Sequence, residues 1–68
     1  MNNKFIIAAR SMGYRMGKSS AERYMRNHKK DYEPNFHELF KEAYALEAKN
    51  GYREGYQFIL NKFNDVSS

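Results

Sequence analysis

The chain has 68 residues, a formal net charge of +4, 29% charged and 41% hydrophobic residues and no cysteine, which leaves room for one domain with a modest core. Neither a disulfide framework nor a thiolate metal site is available to stiffen it. No apolar run approaches the roughly 20 residues that cross a bilayer, and the apolar stretch Phe5 to Ala9 is too short for the apolar region of a signal peptide, so an intracellular, cytoplasmic protein with no membrane partner is expected.

In chain order, Phe5, Ala8, Ala9, Met12 and Met16 recur at helical spacing and predict a first helix over 5–16. Ile7 and Tyr14 point away from that stripe, as does Arg10. Gly13 and Gly17 each lower helix propensity by roughly 1 kcal/mol, so the segment from Gly13 to Ser20 reads as a helix end and a turn. Ser19 with Glu22 three residues on has the form of a capping box, which starts a second helix over 20–31. On that helix Ala21, Tyr24, Met25, His28 and Tyr32 share an apolar face, while Arg23, Arg26 and Lys30 share the opposite one.

Pro34 ends the second helix, because proline cannot continue a helix and biases Glu33 away from helical geometry. Asn35 is placed to cap a third helix over 35–49, with Phe36, Leu39, Phe40, Ala43 and Leu46 as its apolar stripe. Asn50-Gly51 has the composition of a helix stop. Tyr52, Tyr56, Ile59, Leu60 and Phe63 form a further stripe that predicts a fourth helix over 53–64, and Phe58 projects off it. A single kinked helix from 35 to 64 is the alternative to a hairpin there. Residues 65–68 read as a polar, disordered tail.

The expected fold is therefore all-α, one domain over 1–68 built as a small bundle of about four short helices in hairpins, with homodimer formation expected from the limited core. Charge divides it. Residues 1–30 carry Lys4, Arg10, Arg15, Lys18, Arg23, Arg26, Lys29 and Lys30 against Glu22, a balance of +7, while 31–68 balance at −3. The basic half thus spans 1–31 and the acidic half 35–64.

Chemistry-bearing motifs are few. Gly17-Lys18-Ser19 looks like the end of a phosphate loop, but Met12 stands where that loop needs a glycine and no strand precedes it. His28 and His37 have no acidic or thiol partner at metal-ligand spacing, and no serine has a base beside it in sequence, so no catalytic residue, metal, cofactor or small-molecule substrate is expected and the chain reads as a non-enzyme. The segment Ala8 to Arg26 resembles a helix-turn-helix, with Ala9 and Gly13 four apart and Ser20-Ala21 opening a basic second helix, although its turn is two or three residues longer than that motif's.

Two functions follow. The first is a nucleic-acid-binding module that places Arg10, Lys18, Arg23, Arg26 and Lys30 on phosphates. The second is a small adaptor or inhibitor, of the kind phages and mobile elements encode, that binds a host protein through Tyr14, Phe58 and the same basic residues, since interfaces are enriched in aromatics and arginine.

Overall fold

The computed structural model describes residues 3–29 and 33–67, with backbone alone for residues 3 and 65–67. It is all-helical among these residues, with no strand: α1 spans Asn3–Asn27, α2 Phe36–Leu39 and α3 Glu42–Ser67. The four expected helices are thus two long ones and a short one. The stretch expected as a tail is helical backbone as far as Ser67.

Gly13 and Gly17 lie inside α1, and Gly51 and Gly55 inside α3. All four are where the two helices touch backbone to backbone. A methyl group added at Gly13 would overlap the Ala48 carbonyl, and one at Gly17 the Tyr52 carbonyl; added at Gly51 and Gly55, it would overlap the carbonyls of Arg10 and Tyr14. The expected helix stops are therefore close-packing positions. Their propensity penalty is outweighed by a contact that no residue with a Cβ could make. Because α1 is unbroken, Ser19 and Glu22 cap nothing, the Gly17-Lys18-Ser19 stretch is not a loop, and the helix-turn-helix resemblance fails for want of a turn.

These contacts also give the helix direction. As the position rises along α1 from 13 to 17, its partner on α3 rises from 48 to 52, so α1 and α3 run parallel. A parallel pair needs a connection that returns along its whole length, which is the task of residues 28–41. The return begins at His28, exposed and left-handed at φ 58°, whose amide bonds to the Tyr24 carbonyl at 2.8 Å. His28, expected on an apolar face as a core or interface histidine, is therefore a helix terminator and not part of the core. The break at Pro34 is present, and the Asn35 side chain accepts a bond from the His37 amide at 3.2 Å as the cap of α2. That helix stops at Phe40, which is extended at φ −132° and ψ 154°, because the chain must reverse there to enter α3.

The packed residues are smaller than the expected stripes. Ala9, Ala21, Ala45, Ala48, Tyr52 and Ile59 are buried with Phe36, and Met16, Phe40, Tyr44 and Tyr56 pack beside them. Phe5, Ala8, Met12, Leu39, Ala43 and Leu46, expected inside, are exposed, Leu46 by 62%. Once glycine brings two helix axes together, small residues fill the seam and larger ones are displaced to its flanks. Tyr32 lies outside the described residues.

Candidate interaction face

The glycine seam has an internal symmetry that originates in the sequence. Gly13-Tyr14-Arg15-Met16-Gly17 recurs as Gly51-Tyr52-Arg53-Glu54-Gly55, a shift of 38 residues. Applying that shift exchanges the contacts of Gly13 and Gly17 for those of Gly51 and Gly55. The helix pair therefore has a pseudo-two-fold axis along its length, and its two flanks are built from equivalent positions.

The flanks are finished differently. On one, the Tyr52 hydroxyl donates to Ser20 Oγ at 2.9 Å, and the Tyr52 ring lies 6.1 Å from Tyr56 and 5.6 Å from Phe36 of the returning segment, edge-on. This flank is covered, by residues 33–40. On the other, Tyr14 takes the place of Tyr52, and its ring faces Phe58 at 6.2 Å. Lys18, the counterpart of Tyr56, sets its Nζ 5.4 Å from the Tyr14 ring centre and 5.8 Å from that of Phe58, a cation over two aromatic faces. Arg10 and Glu54 close the cluster with an ion pair of 2.7 Å; the Glu54 hydrogen bond, reinforced by its charge, raises the Arg10 pKa above its ordinary value. Phe58 remains 49% exposed.

One turn further along this open flank lies a cavity of about 470 Å³ lined by Glu22, Met25, Arg26, Ile59, Lys62 and Phe63. Its floor is apolar. Arg26, Lys62 and Glu22 stand at its rim with exposed side chains.

Tyr14 and Phe58, expected as off-stripe contact residues, are thus brought together, with Arg10 and Lys18 beside them and Arg26 further along the same flank. Arg23 is not part of this group. Gly13, Gly17 and Ala21 face α3, so Arg15, Ser19 and Arg23, two positions on, occupy the outward side of α1. Lys30 lies outside the described residues. Sequence reasoning missed Glu54 and Lys62, four residues either side of Phe58, and assigned Phe63 to an enclosed core although it is 41% exposed, whereas Ile59, assigned there with it, is buried. The signal for Glu54 and Lys62 was their shared helix face with Phe58.

Among the described residues no three His, Cys, Asp or Glu side chains gather at metal-binding distance, and no helix is long and apolar enough to cross a membrane. Comparison with protein-family models, curated proteins and solved structures gives no match.

Proposed function

We propose that the chain is a small protein-binding module, an adaptor or inhibitor rather than an enzyme, and that it contacts its partner through the open flank. The observation that carries this reading is the Tyr14–Phe58 pair with Lys18 across it, an aromatic and cationic cluster left half in solvent on the flank that the described residues of the returning segment do not cover. Aromatic residues with a cation are the composition of interface anchors. The test is site-specific photocrosslinking from position 58 in cells, with position 57, on a different side of α3, as control. A discrete adduct of reproducible mass from 58, absent from 57 and reduced by Lys18→Glu, supports the module; no protein adduct from 58 overturns it.

A second reading, nucleic-acid binding, is favoured by the charge of α1, which carries Lys4, Arg10, Arg15, Lys18, Arg23 and Arg26 against Glu22, a balance of +5. Its phosphate contacts would come from the outward ridge of Arg15 and Arg23 with Arg26, all three exposed. Log affinity for duplex DNA falls with log salt by about 0.9 per phosphate contact, so Arg15→Glu/Arg23→Glu should flatten that slope by about two. The double variant leaves the open flank untouched. No binding by the parent at low salt ends this reading.

A further inference from the structure

We infer that the open flank, from the Tyr14–Lys18–Phe58 cluster to the Met25–Ile59–Phe63 cavity, binds an acidic peptide segment of another protein that carries a large apolar side chain. The inference rests on the protein-binding reading and specifies its partner.

The covered flank shows what such a surface takes. There the returning segment Glu33-Pro34-Asn35-Phe36-His37-Glu38-Leu39-Phe40 supplies a buried phenylalanine against Tyr52 and a carboxylate, Glu33, 4.0 Å from Arg53. The counterpart of Arg53 under the shift of 38 residues, Arg15, lies on the outward side of α1, so the part of this arrangement that carries over to the open flank is the aromatic contact and not the ion pair. The open flank presents the equivalent tyrosine with no such segment on it among the described residues.

Its charge gives the sign of the partner. Arg10 faces Glu54 and, beyond it, Glu47, while Lys18, Arg26 and Lys62 stand with Glu22, so four positive against three negative side chains leave a surplus of one positive charge among the described residues of this flank, concentrated towards the cavity. A carboxylate-bearing segment matches that surplus, and a basic one is repelled. The cavity, at about 470 Å³, falls within the 300–1,000 Å³ typical of ligand pockets and has the apolar floor that an aromatic or aliphatic anchor needs.

There is also area to cover. The chain exposes 5402 Å² at a mass of 8.1 kDa, whereas a folded monomer of that mass is expected to expose about 4,500 Å². The excess, about 900 Å², goes with an elongated helix pair and leaves surface for a further contact face.

The probe is a fluorescein-labelled peptide with the sequence of residues 33–40, titrated into the full chain and followed by anisotropy. A second peptide has lysine in place of both glutamates. Saturable binding of the acidic peptide is expected, weakened about tenfold by Arg26→Glu/Lys62→Glu at unchanged helix content, with the lysine peptide at least tenfold weaker on the parent. Phe58→Lys should weaken it as well. Binding that ignores all three substitutions places the peptide on the covered flank, by displacement of residues 33–40, and overturns the inference. So does equal binding of the two peptides, or no binding. If the acidic peptide fails while the position 58 crosslink to a protein persists, the module reading survives and the partner chemistry is wrong. If the chain sediments as a dimer that Phe58→Lys makes monomeric and the peptide does not bind, a second copy occupies the flank and the inference falls.

Discussion

Ser20 is buried to 4% exposure and accepts the hydrogen bond of Tyr52, so each side chain satisfies the other in a seam that offers little else. Removing the acceptor by Ser20→Ala leaves the Tyr52 hydroxyl buried without a partner and should cost about 1–3 kcal/mol. Tyr52→Phe should cost less, because a helical serine hydroxyl can turn back to the carbonyl four residues before it. The double variant should be more stable than the two single losses added together, and a urea-denaturation cycle measures the difference. His28 offers the opposite sign. It holds a left-handed conformation that costs a residue with a Cβ about 1 kcal/mol or more, so His28→Gly should raise the midpoint of thermal unfolding. A fall would mean that the imidazole contributes more than its backbone strain costs.

At the scale of the element, the four glycines explain both what was legible in the sequence and what was not. The break at Pro34 and the cap at Asn35 were readable because each depends on a local property, a missing amide or a short acceptor. A glycine lowers helix propensity equally whether it ends a helix or lies against another backbone, so Gly13, Gly17 and Gly51 read as stops and one helix became two. With the phase reset at each false stop, the large apolar residues defined stripes that excluded the glycines, and Leu46 and Met12 were placed inside. The repeated glycine-tyrosine-arginine pattern was the available sign that these glycines share one role. Gly17→Ala tests that role with a clear sign. Propensity alone predicts a gain of roughly 1 kcal/mol, whereas overlap with the Tyr52 carbonyl forces the helices apart and should leave a net loss of about 1–3 kcal/mol. Ser11→Ala, on the exposed outward side of α1, should be neutral or slightly stabilising in the same denaturation experiment.

At the scale of the molecule, the chain is a slab of 43 × 21 × 11 Å, a parallel helix pair with one flank covered by its own connection. Domains generally bury apolar surface between two packed layers; among the described residues the second layer is present on one side only, which is why Tyr14 and Phe58, off the expected stripes, meet on the flank left open. The feature the sequence hid most completely is direction. Short helices between glycine turns imply hairpins, and hairpins imply antiparallel neighbours, whereas the seam contacts require the returning segment 28–41 to run back the full length of α1. Absence of native cysteine makes this directly measurable with pairs of introduced cysteines and spin labels. Positions 26 and 62 line the same cavity, so labels there should be close. Labels at 4 and 62 should lie about 30 Å apart, since the seam register sets position 4 some 20 residues below 62 at 1.5 Å per residue. An antiparallel hairpin reverses the order, bringing 4 near 62 and separating 26 from it. Distances in that reversed order would remove the pseudo-two-fold axis, and with it the equivalence of Tyr14 and Tyr52 on which the open flank is defined.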